Sequence, residues 1–321
     1  MNYINTFRIL NPHLHTAVPE GRKGDMIVSS IARNPPTILQ HKDAVKRVLQ
    51  ANHGFSDLLF DSVHTVSYPA HSALVKKKNG SGFFRIVNAY TLWGEGYYHF
   101  MTEVLPSVLF LGKPYTIHCP PSAFAESVFR WFSVPNKIVM AKPTFDNVKE
   151  SWEQPYIECG NPSPQKLALL RDCIQKKVTF QRKYGILIQR REPVRQILNH
   201  AAFLTMLRRV FPLLEWKTFD RLSTDDTAEL FSKAAMIVAP HGAGLTNMIF
   251  GDAGIPIVEC MPLEKPNLCY WHLSELLGNP YWMIPLPTVG GNFTIDIAGV
   301  EPLFRHIHSI LDRPVADSHF V

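Results

Sequence analysis

The sequence predicts an α/β protein whose C-terminal half is a parallel sheet with helices on both faces, and two observations carry that prediction. From about residue 184, short apolar runs alternate with segments of helical periodicity at the spacing of β-α-β units. The 321 residues, 46% apolar and 19% charged, are also enough to bury substantial cores in about two domains. Upstream, strands are expected at 86–92, 115–118, 137–140 and 156–158 around helices near 97–111 and 122–133, a second and less regular α/β layer. Lys76-Lys77-Lys78 followed by Asn79-Gly80 reads as a solvated hairpin turn. The Pro-rich stretch Asn161-Pro162-Ser163-Pro164 and the charged helix 165–177 form the junction. Beyond it come strands at 185–189, 213–218, 236–239 and 255–260, helices at 199–210 and 225–235, and one opening at Leu245. This is a Rossmann-like half. The expected division is an N-terminal domain over 1–163 and a C-terminal one over 164–321, with the last helix free to pack back on the first.

Composition excludes several classes. No window approaches the roughly 20 uninterrupted apolar residues of a membrane span, and the first residues lack the apolar core of a signal peptide, so a cytoplasmic setting is expected. The five cysteines, Cys119, Cys159, Cys173, Cys260 and Cys269, are odd in number and lack CxxC spacing, which suits reduced thiols. The sequons at Asn79 and Asn292 carry little weight in such a setting. The net charge of +6 is dispersed, and no helix-turn-helix, RNP or zinc-finger pattern accompanies it, so no nucleic-acid partner is expected.

The most informative stretch is Ala239-Pro240-His241-Gly242-Ala243-Gly244-Leu245-Thr246-Asn247, where an apolar run enters a glycine-bearing turn that opens a helix. Such a turn presents unpaired helix N–H groups and the positive end of the helix dipole, a site for an anion such as a diphosphate. Gly242 and Gly244 permit close approach, His241 adds a titratable donor, and Thr246 and Asn247 continue the turn toward phosphate or cap the helix. An ordinary strand-to-helix turn with a capping histidine is the plainer alternative.

The helix from Tyr97 carries a second signal. His99, Glu103 and Ser107 form one polar stripe on a mostly apolar helix, and Pro106 is expected to kink it by freeing the carbonyl of Thr102, exposing His99 and Glu103. The pair can supply a general base, either His99 held by Glu103 or Glu103 oriented by His99; a surface pair of modest worth is the alternative. HFMTE offers two zinc ligands and no near third.

In the third constellation, Arg190 and Arg195 follow the strand at 185–189, at the carboxyl edge where open α/β sheets bind ligands. They can clamp a diphosphate from the side opposite the glycine turn. Asn199 joins them or caps the next helix. Glu259 ends the strand IPIVEC, where a carboxylate can accept from ribose hydroxyls. Tyr270, Trp271, Tyr281 and Trp282 are stacking platforms or core.

Together, GYYHFMTEVLP at 96–106, ILIQRREPVRQILN at 186–199 and IVAPHGAGLTNMIF through PIVECMP at 237–262 resemble glycosyltransferase family 61, which includes plant xylosyl- and arabinosyltransferases and animal O-linked N-acetylglucosaminyltransferases. The resemblance covers roughly 85–290. It implies a GT-B architecture, two Rossmann-like domains facing a central cleft, and an inverting, metal-independent transfer that requires no cofactor. The donor it implies is a nucleoside-diphosphate sugar, by family expectation UDP-linked, carrying xylose, N-acetylglucosamine or arabinose. The acceptor is a glycan or glycoprotein hydroxyl. His99 or Glu103 is then the base. Arg190, Arg195, Asn199, His241, Gly242, Ala243, Gly244, Leu245, Thr246 and Asn247 meet the diphosphate, and Glu259 grips the ribose. The stem and membrane anchor common in the family do not appear in this sequence. A non-catalytic nucleotide-sugar or glycan binder is the alternative, against which the intact His99/Glu103 pair argues. A dehydrogenase or epimerase would carry GxGxxG after an early strand, and none is present.

Overall fold

The computed structural model describes residues 8–9, 66–69, 72–76, 83–88, 94–111, 116–119, 121–135, 137–140, 148–149, 156–159, 164–262, 267 and 269–311. They belong to two compact units, one running from Val63 to Thr179 with Leu222–Glu229, the other built on Phe180–Arg221 and the chain from Leu230. The short strand β1 (Arg8–Ile9) joins the second unit.

The first unit is a mixed α/β assembly. Strands β2 (Val66–Pro69), β3 (Ser72–Lys76) and β4 (Phe83–Asn88) precede a long helix α1 spanning 97–111. Then follow β5 (Thr116–His118), α2 (Ala125–Trp131), β6 (Lys137–Val139), β7 (Val148–Lys149), β8 (Tyr156–Cys159) and α3 (Pro164–Gln175). The sheet order is β6-β5-β4-β3-β7, with β4, β5 and β6 parallel and β3 antiparallel to β4 and β7; β2 and β8 form a separate antiparallel pair. The antiparallel partners β3 and β4 flank the expected hairpin turn, whose residues Lys77 to Gly80 lie outside the described residues, as do 89–92 of the first expected strand.

Helix α1 accommodates Pro106 without breaking. Its middle, Phe100–Val104, winds as a π-helix between α-helical ends. Proline at 106 can neither donate to the carbonyl of Thr102 nor pass it without a clash, and a wider turn just before it relieves both problems. Two hydroxyls back-bond across the same region: Thr102 Oγ1 donates to Tyr98 O at 2.8 Å and Ser107 Oγ to Glu103 O at 2.7 Å. The expected kink is therefore a π turn, and its polar stripe is largely covered: Glu103 and Ser107 are buried and only His99 reaches solvent. The reason is that Phe100 through Val108 is buried on all sides, so no face of the helix is left to open.

The second unit contains β9 (Tyr184–Ile188), α4 (His200–Val210), β10 (Glu215–Phe219), α5 (Thr224–Ser232, whose first residues belong to the other unit), β11 (Ala234–Pro240), a 3₁₀ helix (Ala243–Phe250), β12 (Ile257–Pro262), α6 (Cys269–Leu276), β13 (Tyr281–Leu286) and α7 (Ile297–Leu311). The order is β10-β9-β11-β12-β13, all parallel, with β1 antiparallel at the outer edge. Counted from β9 this is 2-1-3-4-5, the doubly wound order in which the chain moves to one side of its first strand and then crosses to the other. On one face Leu187, Val238, Val258 and Ile284 meet Phe203 and Leu207 of α4 and Phe304 and Ile307 of α7. On the other, Ile237, Ile257 and Met283 lie under the 3₁₀ helix, buried from Leu245 to Phe250, and α6.

Gly185 of β9 pairs with Trp216 of β10, and the indole lies across it. A Cβ at 185 would stand 2.7 Å from the ring. Gly185→Ala is expected to lower unfolding free energy by about 1–3 kcal/mol through overpacking. Denaturant titration checks this; a variant as stable as wild type would show that the indole moves freely.

Candidate functional site

In a 2-1-3-4-5 sheet the loops leaving the first and third strands diverge to opposite faces, which opens a crevice at their carboxyl ends. Here those strands are β9 and β11. Arg190 follows β9 by two residues and His241-Gly242 follow β11 directly, so two of the three constellations converge there.

Arg190 is held by three partners. Its Nε donates to Val194 O at 3.1 Å, Nη1 to His241 O at 3.3 Å, and Nη2 pairs with Glu192 at 3.3 Å. The guanidinium lies on Gly242, where a Cβ would fall 1.8 Å from Nη1. Gly242 is extended, with φ 160° and ψ 170°, so glycine is required there by close approach rather than by dihedral. Arg190 was expected across from the glycine turn and instead rests on it. Burial, and then the neighbouring Arg195 guanidinium, hold its pKa below the ordinary arginine range. Arg195 itself sits at φ 60°, a left-handed conformation that costs a non-glycine residue about 1 kcal/mol or more, and its N–H donates to Gly291 O at 2.6 Å. Two adjoining arginines, both half-buried, thus stand together in a strained loop at the sheet edge.

The turn after β11 differs from the expected α-helix. The segment from Ala243 is 3₁₀, because Leu245 through Phe250 is buried all round and Gly244 lies against Ile188, with 3.0 Å to a would-be Cβ. Its first bond uses Leu245 N, which donates to Gly242 O at 3.0 Å. That commits the Leu245 amide and leaves those of Ala243 and Gly244 ahead of the ladder, at the two residues of the turn that solvent reaches. Thr246 and Asn247 are buried behind it.

His241 and Glu259 are joined. Glu259 Oε1 meets His241 Nδ1 at 2.5 Å, and Oε2 accepts from the Tyr281 hydroxyl. Glu259 was expected to end its strand and grip a ribose. The strand runs on through Met261 and Pro262, which places the carboxylate inside the sheet with no exposed surface and both oxygens engaged. Asn199 immediately precedes α4, yet its side chain makes no cap; Nδ2 donates to Ile295 O at 2.8 Å and Oδ1 accepts from Ile295 N at 2.9 Å. It laces the β9–α4 loop to the segment before α7. Tyr270, Trp271, Tyr281 and Trp282 are core. Tyr270 and Tyr281 nevertheless touch the site: the Tyr270 ring stands edge-on to His241 with centroids 5.3 Å apart. The sequence reading missed the Tyr281 contact because it placed no strand at 281–286.

In the other unit the spacing on α1 closes as expected, with His99 Nδ1 to Glu103 Oε1 at 2.6 Å. The carboxylate is buried and the imidazole a quarter exposed, an arrangement that fixes the ring. Among the described residues no group of three or more His, Cys, Asp or Glu side chains converges as metal ligands, and no helix is long and apolar enough to cross a membrane.

A profile of the family described as glycosyltransferase 61 matches residues 97–258. That span holds half the chain, including His99, Glu103, both arginines and the glycine turn. A comparison with curated proteins finds no match. The chain belongs to glycosyltransferase family 61.

Two substitutions probe the crevice. Gly242→Ala is expected to fold with wild-type stability, to within about 1 kcal/mol, because the end of a flexible arginine can yield, while displacing Arg190 and weakening anion binding. Arg195→Gly is expected to stabilise the fold by about 1 kcal/mol through relief of positive φ and to weaken binding as well. Thermal unfolding alongside pyrophosphate titration reads both; unchanged affinity in both variants would remove the arginines from the site.

Proposed function

We propose that this chain is an inverting, metal-independent glycosyltransferase that moves a sugar of the xylose, N-acetylglucosamine or arabinose class from a nucleoside-diphosphate donor, UDP-linked, to a hydroxyl of a glycan or glycoprotein. The observation that carries the reading is the convergence of Arg190, Arg195 and the leading amides of the 3₁₀ helix at the crevice between β9 and β11, in a member of this family. These groups supply fixed positive charge where a departing diphosphate gathers negative charge. GT-B architecture is part of the same proposal.

The chemistry is one in-line displacement. His99 Nε2 takes the proton of the acceptor hydroxyl while its oxygen attacks the anomeric carbon, and the bond from that carbon to the β-phosphate oxygen breaks with its electron pair leaving on the diphosphate. Of the two candidates on α1, His99 is the one solvent reaches, and Glu103 is positioned to hold its tautomer and stabilise the imidazolium.

His99→Ala is expected to bind UDP like wild type and to lose about 100- to 10,000-fold in turnover, the usual worth of a positioned base. Glu103→Gln, isosteric in a buried place, is expected to lose less. Transfer from UDP-sugars in EDTA, followed by UDP release, tests the whole reading: undiminished turnover in His99→Ala removes the base, and activity that appears only with added divalent metal removes metal independence. Binding without turnover on any acceptor would point to the non-catalytic alternative.

A further inference from the structure

Glu259 is a carboxylate without exposed surface. Burying such a group costs several kcal/mol unless hydrogen bonds and charge compensate it. Compensation here reaches both oxygens, through His241 Nδ1 and the Tyr281 hydroxyl. The register brings the three together. Tyr281 pairs with Ile257, two residues before Glu259 and on the same sheet face, while His241 follows Pro240, the partner of Cys260. Burial, and then the Glu259 carboxylate, hold the Tyr281 phenol well above its ordinary range, so it remains a donor at any working pH. The Tyr270 ring closes another side of the imidazole, whose side chain is only 10% exposed.

We propose that Glu259 and Tyr281 are positioning residues that keep a hydrogen on Nε2 of His241 for the leaving diphosphate; this rests on the donor reading above. One proton lies between Oε1 and Nδ1. A second, on Nε2, makes the pair neutral overall and spares a site with both side chains covered a net buried charge, whereas the more exposed His99 leaves such a charge to solvent. With a neutral acceptor in place of the carboxylate, Nδ1 keeps its own hydrogen and Nε2 turns a lone pair toward the anion. As the anomeric C–O bond breaks, its electron pair passes to the β-phosphate oxygen, and Nε2–H donates a hydrogen bond to that oxygen. No proton leaves the pair. Glu259 thus acts through His241 and touches no ribose.

The test is imidazole ¹⁵N NMR on the full chain with labelled histidine at pH 7, combined with UDP and uridine titrations. Wild type is expected to show a protonated Nε2 at His241. In Glu259→Gln the amide oxygen accepts from Nδ1–H, so the Nε2 signal is expected to move to the unprotonated range and UDP affinity to fall roughly 10- to 100-fold, the size of one charge-assisted hydrogen bond, with uridine affinity unchanged. Tyr281→Phe, which leaves the Oε1–Nδ1 contact, is expected to keep the protonated signal with a smaller loss, and it serves if Glu259→Gln does not fold. An unprotonated Nε2 in wild type, an unmoved signal in Glu259→Gln, or a loss in Tyr281→Phe as large as in Glu259→Gln overturns the proposal. A protonated Nε2 in a wild-type chain that binds no UDP upholds the proton placement and overturns the donor reading instead.

Discussion

The pairing of β11 beside β9 is the constraint on which the site depends. Had β11 continued outward from β10, its loop would leave the sheet on the same side as its predecessors and no crevice would open between divergent connections. With β11 next to β9, the residues after both strands share one edge, and residues about 50 apart in sequence come into contact. The Arg190 guanidinium can then lie on Gly242, because the backbone there carries no Cβ. The result is a positive centre in the loop after β9, tied to Val194 and to the turn after β11, and a pre-positioned charge needs little reorganisation when an anion arrives.

Two of the buried glutamates each meet Nδ1 of a histidine: Glu103 with His99 on one helix, Glu259 with His241 across adjacent strands. The physical logic is shared. A buried carboxylate is tolerated when it is hydrogen-bonded, and the imidazole it holds is fixed in orientation. The routes differ. On α1 the four-residue spacing supplies the pair locally, while in the sheet it comes from register between β11 and β12, with Tyr281 of β13 completing it.

Much of this was legible in the sequence. Strands expected at 185–189, 213–218, 236–239 and 255–260 lie within two residues of β9, β10, β11 and β12 at every end, because long apolar runs between helical periods leave few other readings. The 3₁₀ helix is buried from Leu245 to Phe250, so no alternation of exposed and covered residues distinguishes it from an α-helix. Strand β13 escaped notice because Pro285 interrupts it; the proline is tolerated because β1 covers only Tyr281 and Trp282 of that edge. Glu259 looked like a strand end for a similar reason, since Met261-Pro262 reads as a stop although the ladder continues through both. The contacts of Arg190 with Gly242, and of Asn199 with Ile295, join distant segments and leave no local trace. The individual site residues could be picked out one by one; their partners required the fold.

A crystal structure of the chain with UDP tests the central claim most directly. The diphosphate is expected within hydrogen-bonding distance of Arg190, Arg195 and the amides of Ala243 and Gly244, with Nε2 of His241 donating to it and Glu259 still enclosed by His241 and Tyr281. A diphosphate bound away from the edge between β9 and β11, or a Glu259 carboxylate turned out to the ribose, would contradict it.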